Sequence, residues 1–152
     1  MIGRYSRGSV ALMGLLVLTA TACTPTRSSI KPPYVLDGRS YSEPEIRQLA
    51  LERCVAAQPG IAPPPHAFTT DGCSIWRDAT WRECCIAHDI DYWCGGTLRR
   101  DADLKLRSCV RNSGSSKANA TLMYGGVRFG GAAWWPFPWR WGYGYGWLNR
   151  RK

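Results

Sequence analysis

The stretch "ECCIAHDIDYWCGG", residues 83–96, sets three cysteines, one of the chain's two histidines, two aspartates, a tyrosine and a tryptophan close together. An imidazole takes up and returns a proton near neutral pH. A carboxylate is a hard oxygen ligand, and cysteines serve as metal ligands or as covalent staples. Wound into a helix, Cys85, His88, Asp89 and Tyr92 recur at spacings of three and four and share one face. His88 then stands as a base directly beside Asp89, an oxygen ligand. Cys84 lies one position around and can face a neighbouring helix, while Asp91 falls off the chemical face and reads as a solvated charge. A histidine on a helix also serves packing or partner binding, so its surroundings decide its role.

The elements that must position this face follow from local signals. "SEPE", residues 42–45, is a capping box of Ser42 with Glu45. Ile46, Leu49, Ala50, Cys54 and Ala57 then recur at helical spacing. "QPGIAPPPHAF" ends that helix, and His66 within it reads as an exposed or partly packed loop histidine. After the loop "TTDGCSIWRDA", Thr80 and Glu83 offer a second capping box, and the chemical helix runs to Cys94 and stops at Gly95-Gly96. Thr97 is expected to cap a third helix over about residues 98–112, ended by "NSG". Its apolar stripe is Leu98, Ala102, Leu106, Cys109 and Val110. Asp103 adjoins the stripe and Asp101 sits opposite.

Folding the second and third helices back about the Gly95–Thr97 turn makes an antiparallel hairpin. The midpoint of Cys84 and Cys109 falls at 96.5, so a disulfide between them would clamp its far end without register strain. With that midpoint His88 lies level with Lys105 and Tyr92 with Asp101. Asp103 falls between those levels and can reach both the His88 ring and the Tyr92 hydroxyl. A carboxylate at a buried edge needs such partners.

The N-terminus reads as an export signal. Arg4 and Arg7 precede the apolar run "VALMGLLVL", which is shorter than the roughly 20 residues of a spanning helix, and then "ATAC". Ala20-x-Ala22 suits ordinary signal peptidase. Ala22 before Cys23 also resembles a bacterial lipobox, in which Cys23 is lipidated. The product is expected to be secreted or periplasmic, or lipid-anchored to a bacterial envelope through Cys23. Without Cys23, six cysteines remain: Cys54, Cys73, Cys84, Cys85, Cys94 and Cys109. Six cysteines in a small exported domain read as three disulfides, with 15 possible connectivities. Zinc held by Cys84, Cys85, His88 and Cys94 competes poorly, because no two-residue C-x-x-C spacing is present and the compartment is oxidising.

The domain plan is a signal over residues 1–22, a Pro/Ser/Arg-rich tether over 23–39, a folded domain over 40–113 and a tail over 114–152. No strand is evident before the tail. The fold class is therefore mainly α, a small domain stapled by disulfides. The net charge is +9, and loss of Arg4 and Arg7 with the signal leaves +7. Such an excess favours anionic partners. For an exported chain that means a lipid or envelope surface and no nucleic acid. The tail has six basic and no acidic residues and five of the eight tryptophans. Its Trp139, Trp141, Tyr143, Tyr145 and Trp147 alternate with Arg140 and glycines, a composition suited to an anionic membrane surface. Glycines, prolines and Arg140 interrupt any spanning segment.

"CCIAHDIDY" resembles the CCxxHDxxY signature of secreted phospholipase A₂. "DGCS", Asp71 to Ser74, resembles the calcium loop of the small bacterial and fungal branch of that superfamily, and Asp103 to Cys109 fits its Asp-x5-Cys pattern on the paired helix. Together these cover about residues 68–110, under half the chain. The glycine-rich Y-G-C-x-C-G-x-G-G loop of other members is absent, the loop from Asp71 to His88 is short, and so is the spacing of His88 to Asp103.

The resemblance implies a phospholipase A₂-like helical domain with an antiparallel catalytic helix pair. It implies calcium-dependent hydrolysis of the sn-2 ester of a glycerophospholipid by a water that His88 activates. Asp103 would fix the imidazole and Tyr92 would support Asp103. Asp89, Asp71 and the Gly72 carbonyl would bind Ca²⁺, with water and substrate phosphate completing the shell. Arg77 and Arg82 add positive charge nearby, and Asp78 reads as a helix cap. The family's pattern also pairs Cys73 with Cys85 and Cys84 with Cys109, which leaves Cys54 and Cys94 for a third bridge. No nucleophilic serine is required. The alternatives are a catalytically silent lipid- or envelope-binding lipoprotein of the same fold, and a stapled envelope protein whose histidine and acids only pack helices. A chain ended near Asn112 is expected to keep activity on dispersed substrate and lose it on vesicles.

Overall fold

The computed structural model describes residues 32–74, 76–77 and 79–132. The expected signal, Cys23, most of the expected tether, Asp78 and the aromatic stretch from residue 133 onward lie outside the described residues. The order of elements is β1 (Tyr34–Leu36), β2 (Arg39–Tyr41), α1 (Glu43–Ala57), α2 (Arg82–Cys94), α3 (Arg99–Asn112) and α4 (Lys117–Gly130). The protein is mainly helical, with three disulfides.

Two elements lie where the sequence suggested none. β1 and β2 form an antiparallel hairpin in register Tyr34↔Tyr41 and Leu36↔Arg39. Asp37 and Gly38, at φ 52° and 70°, make the turn. An Asp-Gly pair tolerates positive φ at both positions, which matches the twist of the flanking strands. The hairpin belongs to the core, because Tyr34 and Leu36 are buried among Ile46, Ala50, Phe68, Ile86, Ile90 and Trp93. Folded structure is therefore present within the segment read as a tether. The second element is α4, inside the segment read as a tail. Its Ser116 hydroxyl accepts from the Asn119 N–H at 3.1 Å, a regular N-cap. Ala120 and Met123, three apart, are buried with Leu106, Val110 and the α2 cysteines.

The local signals of α1 hold: Glu45 Oε2 accepts from the Ser42 N–H at 2.7 Å and its hydroxyl at 2.6 Å. Ile46, Ala50 and Cys54 point inward. The second capping box does not form. Thr80 donates instead to the Ser113 carbonyl at 2.9 Å, and Trp81 occupies the N-cap of α2. Gly95 ends α2 in the left-handed region at φ 71°, as a C-terminal glycine does. On α3, Ala102, Leu106 and Val110 are buried, but Leu98 is the exposed N-cap rather than part of the stripe, and Thr97 precedes it.

The helix α2 is the centre of the molecule. Ile86, Ile90 and Trp93 face the hairpin and α1, whereas Cys84 and Cys85 face the cluster built on α3 and α4. Its three cysteines reach three different segments. Cys94 joins Cys54 of α1, Cys85 joins Cys73 of the preceding loop, and Cys84 joins Cys109 of α3, with Cα separations of 5.3, 5.1 and 5.6 Å. These lie in the usual disulfide range. Among the described residues no helix is long and apolar enough to cross a membrane.

Candidate active site

Asp103 is a carboxylate with no exposed surface (0 %) in a small protein. A buried charge persists only where partners replace its hydration, and three elements supply them. From α2, His88 Nε2 lies 2.9 Å from Asp103 Oδ1, and the Tyr92 hydroxyl donates to the same oxygen at 2.5 Å. From α4, Arg128 Nη1 donates to Oδ2 at 2.7 Å. On α3 itself, Arg99 Nε lies 3.9 Å from Oδ2 and donates to the Tyr92 oxygen at 3.2 Å. His88 and Tyr92, one turn apart, set their rings 4.1 Å apart. A neutral imidazole that gives its Nε2–H to a carboxylate carries its lone pair on Nδ1. In the neutral ring this arrangement leaves Nδ1 as the proton-accepting nitrogen.

The electrostatics follow from these contacts. Burial alone pushes the Asp103 carboxyl up, but hydrogen bonds from His88, Tyr92 and Arg128 outweigh it and hold Asp103 below the ordinary carboxylate value of 3.8. Burial, then the bond to Asp103, pushes the Tyr92 phenol up, so it stays a donor. A carboxyl whose pKa is lowered by folding stabilises the fold above its unfolded pKa, and that contribution disappears as pH falls through the folded value. Urea unfolding should therefore show stability falling below about pH 4. Asp103→Asn should be less stable near neutrality by roughly 1–3 kcal/mol and less sensitive to acid. Parallel acid profiles for the two proteins would assign the effect to other groups.

The loop before α2 brings a second set of oxygens to the same face. Thr70 donates its hydroxyl to Asp89 Oδ2 at 2.5 Å and accepts from the Gly72 N–H at 3.0 Å. Ser74 donates to Asp71 Oδ1 at 2.7 Å, and its N–H reaches the Gly72 carbonyl at 3.2 Å. Gly72, at φ 72°, allows the turn, and the Cys73–Cys85 bond ties the loop to α2. Asp89 is buried and Asp71 half-buried. Asp89, Asp71 and the Gly72 carbonyl offer oxygen donors, the chemical type that Ca²⁺ takes. All six cysteines of the described residues are in disulfides, so thiolate ligation is excluded there. No group of three or more His, Cys, Asp or Glu side chains gathers as a metal site among the described residues.

A cavity of about 250 Å³ opens on this face. Gly72, His88, Asp89 and Tyr92 line it together with apolar side chains of α3 and α4, including Leu106, Met123 and Val127. The His88 ring, the Asp89 carboxylate and apolar side chains therefore share one chamber.

Every residue the sequence singled out for this site is on this face or its border: His88, Asp89 and Tyr92 from α2, Asp103 from α3, Asp71 and Gly72 from the loop. Asp91 pairs with Lys105 at 3.2 Å on the surface. Arg77 is exposed and Arg82 half-buried in the first turn of α2. The His66 side chain is exposed, and its carbonyl accepts from Trp93 Nε1 at 2.7 Å. Sequence reasoning missed Thr70, Arg99 and Arg128. Thr70 borders the "DGC" triplet, which was the available signal. Arg128 was assigned to the tail. Comparison with protein-family models, with curated proteins and with solved structures returns no match for this chain.

Proposed function

We propose that this chain is a phospholipase A₂-type hydrolase, acting on the sn-2 ester of glycerophospholipids at a membrane surface in a calcium-dependent way. The observation that carries the reading is the buried Asp103, shared by His88 and Tyr92, behind an apolar cavity that His88 and Asp89 also line. The contacts Cys84–Cys109 and Asp91–Lys105 support an antiparallel catalytic helix pair.

His88 accepts a proton at Nδ1 from the attacking water. Asp103 accepts the Nε2–H, holds the ring in that tautomer and steadies the imidazolium that forms. Tyr92 donates to Asp103 Oδ1 beside the His88 bond. The apolar wall from α3 and α4 takes an acyl chain and excludes bulk water. Asp89, Asp71 and the Gly72 carbonyl would hold Ca²⁺, which supplies positive charge for a phosphate and for the developing oxyanion. Thr70 and Ser74 orient the two carboxylates. The proposal includes export, with or without lipidation at Cys23, and contact of the aromatic, basic C-terminal stretch with anionic lipid.

The test is fatty-acid release from phospholipid vesicles by the oxidised mature protein, with Ca²⁺ and with a chelator. Calcium-dependent release is the expected result. Binding to vesicles without release from any headgroup class at millimolar calcium would overturn the enzyme reading and leave a lipid-binding module.

A further inference from the structure

The base, the aspartate and the tyrosine come from α2 and α3, but the second oxygen of Asp103 is held from α4. Arg128, in the last turn of α4, donates to it at 2.7 Å. The connection is reciprocal. Arg99 of α3 donates through Nη2 to the carbonyls of Val127, at 3.0 Å, and of Arg128. These carbonyls lie at the end of α4, where helix carbonyls carry partial negative charge, and that of Val127 also accepts from the Gly131 N–H at 2.9 Å. Just beyond, Gly131 stands against Tyr92. A Cβ on Gly131 would come within 2.8 Å of Tyr92 Cε1 and 2.9 Å of its hydroxyl. The end of α4 is thus seated by an arginine in each direction and by a close approach that only glycine permits.

Charge-assisted bonds are the directional ones. His88 and Tyr92 both pull on Oδ1, so by themselves they leave the carboxylate free to swing about its Cβ–Cγ bond. Arg128 on Oδ2 fixes the plane of the carboxylate, and that plane sets the plane of the imidazole bonded to it. The same helix contributes Met123 and Val127 to the cavity. Seating α4 therefore closes the apolar wall and aligns the base in one event.

We infer that Arg128 is a positioning residue for the proposed hydrolysis, coupling the docking of α4 to the geometry of the His88–Asp103 pair. The inference rests on the hydrolytic reading for its kinetic consequence but not for its structural one, and the experiment separates the two. In the full oxidised chain, Arg128→Met and Arg128→Lys are compared with the parent protein. Rates are measured on dispersed short-chain phospholipid, and the His88 Nε2-bound proton is followed by NMR. Arg128→Met should lower kcat about ten- to hundred-fold, leave KM within about twofold, and weaken or remove the protected Nε2 proton resonance. Arg128→Lys should restore most of both. An unchanged resonance in Arg128→Met would overturn the positioning role, whether or not the parent protein hydrolyses lipid. A resonance lost in Arg128→Met and restored in Arg128→Lys, with no hydrolysis by the parent, would uphold the positioning role and overturn the enzyme reading alone. Should Arg128→Met lose its near-UV circular dichroism, Arg128→Gln, which keeps a donor without the charge, is read in its place against the same resonance.

Discussion

Replacing His88 by glutamine should lower the proposed ester hydrolysis by about 10²–10⁴-fold, the usual contribution of a positioned general base, while the fold survives. Glutamine is of similar size and its amide N–H can still donate to Asp103, so the buried carboxylate keeps three donors rather than being stranded. What disappears is the basic nitrogen. Glutamine offers no lone pair that takes a proton at neutral pH. Rate and near-UV circular dichroism measured on the same sample check both halves of the expectation. Hydrolysis at the parental rate with an intact fold would remove His88 as the base and, with it, the proposed mechanism.

Ending the chain at Asn112 should be as damaging, and through packing. It removes α4, which buries Ala120 and Met123 against Leu106 and Val110, and it strips Arg128 from Asp103. Apolar side chains lose about 1.5–3 kcal/mol each when fully exposed, and losing a hydrogen bond to a charged group costs about 1.5–3 kcal/mol. Typical domains have only about 5–15 kcal/mol in total. Such a chain should unfold at much lower temperature and lose hydrolysis of dispersed lipid as well as of vesicles. The sequence by itself suggested the opposite, survival of activity on dispersed substrate. A chain ending at Ala132 separates the two effects. It keeps every described contact of α4, so it should keep activity on dispersed substrate and lose activity on vesicles. A chain ending at Asn112 with full activity on dispersed lipid would show that neither Arg128 nor the α4 wall matters.

The missed elements show where pattern reading stops. "YVLDGRSY" carries an Asp-Gly pair between alternating Tyr34, Leu36 and Tyr41, a hairpin signal, but its strands span only three residues each. A flanking Pro/Ser/Arg-rich composition outweighed so short a pattern. In α4 the signal was diluted by Gly125-Gly126 in its interior and by the glycine-rich, aromatic sequence that follows. Ala120 and Met123 have the right spacing, yet Leu122 and Phe129 of the same helix are exposed, so which apolar residues face the core is decided only by the partner surface. Thr80 illustrates a local conflict: its spacing to Glu83 suits a capping box, but the carbonyl of Ser113, at 2.9 Å, claims the hydroxyl.

What the sequence by itself determined is the part that local geometry controls. Helical periodicity places His88, Asp89 and Tyr92 on one face of α2, and a left-handed glycine at Gly95 sends the chain back so soon that few registers are open to α3. Within so short a hairpin Asp103 can hardly avoid His88 and Tyr92, and their separations of 2.9 and 2.5 Å bear out the contact. Only the tertiary structure decided that Thr70 would meet Asp89 and that Arg128 would meet Asp103. Those partners lie 19 and 25 residues apart, across an irregular loop and a turn between helices. No spacing rule relates them. They meet because two buried carboxylates need donors, and packing around the disulfides leaves these side chains to provide them.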